Sequence, residues 1–417
     1  MRKIIMCICF MILLVVMVVI LRKVESSQTI LEPDTVMEHE IKDSSQEQTE
    51  EAKALTDTEE SVVAQKVRIN ELSAQRVDAS DIKLQWTDNL DAYVTEYVIE
   101  KYDNCAEKGT WIAVGVVGTQ NHTKGQLYEY MDELESTDPQ QYVYHVVPQF
   151  QDADSYVMEE DLQVLCSNWM ICIDPGHYAG KNAVSGTDSY GYAEGNFTLQ
   201  IALELQQILE NDYGIAVSMT RDTGSISIDG YTDDSLDSGH ISLRGAFAAE
   251  QGCDLFVSIH TNANEDNANG VGTFQQPISI DKPILIANDR MLSSDLLRRM
   301  CNQVGQNLAE TSYDLGISSH KEFAEISASK VREWTTSYND STQELGTVVS
   351  RHGKHGQYYG VLRGAEEAGI PGVIIEHGYH TVVEMRAAAK NGSLSSEWAQ
   401  ADAQGIASAM RFNRIRE

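Results

Sequence analysis

The chain has 417 residues, 31 Lys+Arg against 63 Asp+Glu and a formal net charge of −32, and at roughly 150 residues per domain its length suggests about two or three domains. The acidic excess excludes nucleic acid as a partner, because a polyanion would be repelled, and it argues against electrostatic docking on anionic lipid. Seven Cys with no CxxC pair exclude a disulfide-rich scaffold.

Arg2 and Lys3 precede an unbroken apolar run from Ile4 to Leu21, which Arg22 and Lys23 close. Such a run reaches the lower limit for a membrane-spanning helix, and no small-x-small cleavage site follows it. Residues 1–23 are therefore read as an uncleaved signal-anchor that meets the membrane through residues 4–21. A cleaved signal peptide is the alternative, and both export the remainder. Residues 24–65 carry 12 Asp/Glu against 2 Lys and no aromatic side chain. They cannot bury enough apolar surface to offset ordering entropy, so a disordered acidic linker is expected. A short docked helix around Glu50 to Glu60 is the alternative.

Residues 66–166 alternate apolar and polar positions. Ile82-Lys-Leu84-Gln-Trp86, Tyr97-Val-Ile99 and Tyr142-Val-Tyr144-His-Val146 each have the period of a half-buried strand. Loops rich in Asp, Asn and Gly separate them, and strand runs at this spacing predict a β-sandwich. The order Trp86, Tyr97, Trp111 and Tyr142-x-Tyr144 resembles a fibronectin type III domain. No catalytic constellation is visible there, which leaves a spacer or a wall- or protein-binding module.

After Trp169, strands and helices alternate. Met170 to Ile173 is a short apolar strand that Asp174-Pro175-Gly176-His177 ends, leaving His177 at the sheet end where sites tend to form. Glu194 opens a helix whose Phe197, Ile201, Leu205, Ile208 and Leu209 make one buried stripe. Val217 to Arg221 is the next strand and Leu243 to Gln251 a helix. Asp254 to Ile259 is an apolar strand ending in His260-Thr-Asn262, and Gly372 to Ile375 is another, ending in Glu376-His377-Gly378. Imidazole nitrogen and carboxylate oxygen suit zinc, and three such ligands with one open position are the arrangement of a catalytic ion. A fourth acidic group nearby could take a proton from water.

The order of motifs carries a resemblance. Ile171-Cys-Ile-Asp-Pro-Gly-His177, Glu194, Thr220-Arg221, Arg244, Phe256-Val-Ser-Ile-His-Thr-Asn262, Gly270-Val-Gly272, Val361-Leu-Arg363 and Val373-Ile-Ile-Glu376 together resemble the zinc-dependent N-acetylmuramoyl-L-alanine amidases of the amidase-3 type. The resemblance covers residues 170 to 412. It implies a twisted, mainly parallel sheet flanked by helices, zinc (Zn2+) held by His177, Glu194 and His260, and Glu376 as the catalytic carboxylate. The implied substrate is peptidoglycan, cut between muramic acid and L-alanine on the extracytoplasmic face of the cell envelope. Asn262 and Arg363 are candidate substrate-binding or supporting residues, with a purely structural role as the alternative, and Asp174 is expected to orient the His177 loop rather than bind metal.

Several features depart from the pattern. His377 and Tyr379-His380 follow Glu376 where small or apolar residues are common; both histidines are read as surface groups, with contact to substrate or a hydrogen bond to the site as the alternative. His352 and His355 have ligand spacing in a polar, Gly-rich stretch read as a solvated loop. Helices are expected over Asp289–Leu308 and Lys321–Trp334. Residues 310–356 are either a static elaboration of the rim or a lid that an activator protein displaces. An exported zinc amidase is the leading reading; a non-catalytic wall-binding scaffold with an amidase-like fold is the alternative, and a hydrolase of another amide is a third.

Overall fold

The computed structural model describes residues 65–89, 94–103, 109–151, 156–158, 162–184, 190–263, 283–323, 332–334, 348–354 and 356–414. The expected membrane helix (1–23) and the linker up to residue 64 lie outside the described residues. So do Asn264–Gly270, His355 and most of 324–347. Among the described residues no helix is long and apolar enough to cross a membrane.

The N-terminal part is built of strands. β1 (Gln65–Val67) pairs in parallel with β8 (Tyr156–Met158). β2 (Ile69–Arg76), β3 (Asp81–Asp88) and β6 (Tyr128–Glu133) form a three-stranded antiparallel sheet. β4 (Val94–Asp103), β5 (Thr110–Gly118), β7 (Gln141–Phe150) and β9 (Gln163–Ser167) form a four-stranded one. The period-two reading has a direct physical counterpart. Ile82, Leu84 and Trp86 of one sheet and Tyr97, Ile99, Tyr142, Tyr144 and Val146 of the other share one core, because alternate side chains leave a strand on the same face.

The rest is α/β. In chain order it comprises β10 (Met170–Pro175), α1 (Glu194–Tyr213), β11 (Ala216–Met219), the short β12 (Ser227–Ile228) and β13 (Tyr231–Thr232), α2 (Asp233–Gly239), α3 (Ser242–Glu250) and β14 (Leu255–Asn262). It continues with β15 (Ile284–Ala287), α4 (Asp289–Ser293), α5 (Asp295–Asp314), β16 (Arg332–Trp334), β17 (Val348–Gly353), β18 (Gly356–Gln357), α6 (Gly360–Glu367), β19 (Gly372–Tyr379), α7 (Val383–Asn391) and α8 (Leu394–Met410). The sheet order is β11-β10-β14-β19-β15-β17-β16. All its ladders are parallel except β15–β19, and β18 runs antiparallel to β17. The sheet is thus mixed but mainly parallel.

Both faces are covered, which explains the unbroken apolar strands. Ile171, Ile173, Val257, Ile259, Val373 and Ile375 pack against Phe197, Ile201 and Leu205 of α1, Val304 of α5 and Trp398 and Ile406 of α8. Their alternates Cys172, Phe256, Ile286 and Ile374 meet Ala248 of α3 and Leu362 and Ala365 of α6. Each buried Val, Ile, Leu or Phe among them contributes roughly 1.5–3 kcal/mol by leaving water. Helix α1 stops at Gly214, whose φ of 66° closes the last turn onto Leu209 O.

Two expected helices differ. The 289–308 helix is two, α4 and α5, because the Ser294 side chain caps Leu297 N and restarts the turn. No helix is seen in the described part of 321–334: Lys321–Phe323 are non-helical, and Arg332–Trp334 pairs with β17. Phe323 is buried over Gly305, where a Cβ would fall 2.4 Å from the ring; this tertiary contact draws the chain away from a local helix.

The two parts touch. Arg76 on β2 donates to Asp254 at 3.0 Å and to Asn168 O at 2.8 Å, and Gln141 on β7 donates to the carbonyls of Tyr213 and Asn413.

Candidate metal centre

The sheet brings four distant carriers of chemistry to one end. β10 stops at Pro175, and the chain turns so that His177 stands just beyond it at φ 62°, a left-handed value costly for a residue with a Cβ. Gly176 makes the turn tolerable: a Cβ there would lie 2.5 Å from Cε1 of His260. Glu194 is the first residue of α1, and its neighbour Gly195 lets Tyr178 O approach to within 1.9 Å of where a Cβ would be. His260 lies near the end of β14, and Glu376 is its Cα partner on β19.

The ligand atoms of His177, Glu194 and His260 all lie within 4.8 Å of one another. Oε1 of Glu194 is 3.1 Å from Nδ1 of His260 and its Oε2 is 3.4 Å from Nε2 of His177. The backbone N–H of Thr261 also donates to Glu194, at 3.0 Å. Burial opposes ionisation of Glu194, but its bonds with His177 and His260 outweigh this and hold the carboxyl well below its usual range. Burial also disfavours charge on His177, yet the carboxylates of Asp237 and Glu194 raise it to about 9. Two imidazoles and an ionised carboxylate form a donor set that suits zinc.

Glu376 differs from Glu194. Burial pushes its carboxyl up to about 7, and the charge of Glu194 adds to the rise while His260 opposes it. Its Oε2 is out of solvent contact and has no hydrogen-bond partner among the described residues. An unpartnered carboxylate oxygen on the strand-register partner of His260 fits a centre completed by a cation and water.

Several neighbours were not legible in the sequence. Nδ2 of Asn182 donates to Oε2 of Glu194 at 2.8 Å and lies 3.1 Å from Nε2 of His177. Asp237 on α2 approaches Nδ1 of His177 at 3.3 Å. A capping box between Thr232 and Ser235 marks this helix in the sequence, but nothing there tells which face meets His177. Asp174 behaves as expected. It is fully buried and accepts bonds from Thr220, Ser258 and Arg244, which fixes the start of the His177 loop.

His377 and His380 are not surface groups. His377 is wholly buried, with Nδ1 3.2 Å from His260 O and Nε2 2.7 Å from Asp402. His380 is buried against Thr261, with Nδ1 3.0 Å from its carbonyl oxygen. Both lie on or just beyond the last strand of the site, where packing encloses His377 wholly and leaves His380 little exposure. Asn262 and Arg363 are not brought to the cluster by any described bond. The Asn262 side chain accepts from Ala263 N at 2.8 Å, and Arg363 donates to Gln357 O at 3.2 Å. His352 pairs with Asp289 at 3.1 Å, away from the three ligands.

A family model described as N-acetylmuramoyl-L-alanine amidase (Amidase_3) matches residues 171–408. Among curated proteins, the probable cell wall amidase LytH of Staphylococcus aureus is 29% identical over 187 residues, 44% of this chain and 51% of that protein. The chain thus spans about half the length of the curated relatives it matches. Among solved structures, the catalytic domain of CwlV, an N-acetylmuramoyl-L-alanine amidase from Bacillus (Paenibacillus) polymyxa var. colistinus, is 18% identical with a TM-score of 0.37, covering 59% of this chain and 99% of that one. An N-acetylmuramoyl-L-alanine amidase from Clostridium difficile 630 is 19% identical with a TM-score of 0.36, covering 58% and 95%.

Proposed function

The chain belongs to the N-acetylmuramoyl-L-alanine amidase family, and from that premise we propose that it hydrolyses the amide joining muramic acid to L-alanine in peptidoglycan. His177, Glu194 and His260 hold a zinc ion, and Glu376 is the general base and acid. The observation that carries this reading is the convergence of the donor atoms of His177, Glu194 and His260 within 4.8 Å of one another, with Glu376 in register with His260 and its Oε2 unpartnered.

Zinc, when bound, supplies Lewis acidity: it polarises the amide carbonyl and makes water a nucleophile near neutral pH. Glu376 receives the proton of the attacking water and returns it to the leaving amine of L-alanine. In the metal-free protein burial raises its carboxyl to about 7. Before any metal binds, hydrogen bonds with both imidazoles already hold the buried Glu194 carboxyl in its charged form, the form a metal ligand needs.

The chain acts outside the cytoplasm, tethered by residues 4–21, with residues 66–166 as a fibronectin type III-like spacer between membrane and wall. The test uses the full chain. Purified protein should digest sacculi and release stem peptides with free L-alanine amines, and Glu376→Ala should retain zinc and release none. Digestion that yields reducing sugar ends instead, or a Glu376→Ala variant as active as the parent, would refute the proposal.

A further inference from the structure

Between β11 and α3 the chain makes an excursion that a sheet-helix connection does not require. Strands β12 and β13 and helix α2 fold there around their own small core of Ile226, Ile228 and Leu236, which packs on Tyr178, Leu243 and Phe247. The excursion delivers one acidic side chain inward. Asp237 is largely buried, and its Oδ2 lies 3.3 Å from Nδ1 of His177. Its Oδ1 receives two bonds from Arg244, from Nη2 at 2.8 Å and Nε at 3.2 Å.

Arg244 is itself anchored. It is 1% exposed, and its Nη1 donates to Asp174 at 2.8 Å and its Nη2 to His177 O at 2.7 Å. One guanidinium therefore grips the carboxylate behind the loop, the backbone of the loop and the carboxylate in front of it. A desolvated arginine that donates through Nε, Nη1 and Nη2 is rigid in a way a lysine would not be. His177 needs such restraint, since its left-handed backbone persists only where surroundings over-determine it.

We propose that Asp237 is the positioning residue for His177, accepting a bond from Nδ1–H so that Nε2 is the nitrogen presented to the metal, with Arg244 and Asp174 holding Asp237 in place. This rests on the reading of His177 as a zinc ligand. A carboxylate on the far nitrogen of a ligating imidazole fixes its tautomer and orientation and raises its basicity, and loss of such a partner typically weakens metal binding about 10- to 100-fold.

The test compares Zn2+ affinity, by competition with a chelator, in the full chain, Asp237→Asn and Asp237→Ala. The alanine variant should bind about 10- to 100-fold more weakly. The asparagine variant, which keeps size and an acceptor oxygen, should fall between and serves if alanine fails to fold. In zinc-loaded protein labelled with 15N-histidine, the hydrogen-bonded Nδ1–H proton of His177 should be visible and should be lost to exchange in Asp237→Ala. Parental affinity in both variants, with that proton retained, overturns the role of Asp237 and leaves the metal site standing. A parent chain that binds no zinc overturns both.

Discussion

His260 and Glu376 are register partners on the adjacent parallel strands β14 and β19, so two residues 116 positions apart in sequence stand side by side at the same end of the sheet. The ladder sets their spacing without help from any loop. That relationship separates the roles of the two glutamates. Glu194 approaches from a helix start and bonds to both imidazoles, whereas Glu376 stands on the strand with an unpartnered oxygen.

Replacement of Glu376 by Gln should therefore remove turnover and spare the metal. The expected loss in kcat is about 100- to 10,000-fold, the usual range for a positioned general base. Zinc content, measured by mass spectrometry on the same sample, should stay at the parental level. A variant that loses zinc together with activity would make Glu376 a ligand rather than a base.

The same carboxyl predicts a pH effect on the metal-free protein. Its pKa is raised from 4.5 to about 7 by burial, so between those values the folded state keeps a proton that the unfolded state has released. The contribution of Glu376 to stability is then largest below pH 4.5 and is lost as pH rises toward about 7. At about 1.4 kcal/mol per unit the change is on the order of 3 kcal/mol. In urea titrations of chelator-treated protein, Glu376→Gln should gain on the parent as pH rises through this window. A constant difference between the two would contradict the burial of this carboxyl.

Gly176 is held by space rather than by backbone angle. A methyl group there would press on the His260 imidazole at 2.5 Å, a distance that real side chains do not tolerate. Gly176→Ala should lower zinc affinity by about tenfold or more, as displaced supporting groups typically do, with little change in far-ultraviolet circular dichroism. Unchanged affinity in isothermal titration would mean that the ring is free to move aside.

Behind the site, His377 and Asp402 form a wholly buried pair at 2.7 Å, and the bond from Asp402 raises the imidazole against the opposing effect of burial. Removing one member strands the other. Asp402→Ala should cost about 3–5 kcal/mol in denaturant unfolding. Removal of both should cost less than the sum of the single changes, and strict additivity would deny the coupling.

Much of the α/β part was legible because its signals are local. Val373-Ile-Ile375 and Leu255-Phe-Val257 read as strands because burial on both faces demands unbroken apolar residues. The stripe from Phe197 to Leu209 read as a helix because one face packs on that sheet. That His177, Glu194 and His260 converge is foreshadowed by motif order, since they sit at a loop, a helix start and a strand that their flanking residues announce. What escaped was set by tertiary contact. His377 and His380 have polar side chains, and only the fold shows them enclosed by Asp402 and Thr261. Asp237 sits among other acidic residues, and only the packing of Leu236 turns it toward His177. The strand at Arg332–Trp334 depends on its pairing with β17, which no local pattern records.

The central claim is that one zinc ion is held jointly by His177, Glu194 and His260. An anomalous difference map collected at the zinc absorption edge from crystals of the full chain tests it most directly. The account predicts one strong peak per chain bounded by the two imidazoles and the Glu194 carboxylate, at about 2.0–2.2 Å from each ligand atom. A peak elsewhere, or none in zinc-supplemented crystals with these side chains ordered, would contradict it.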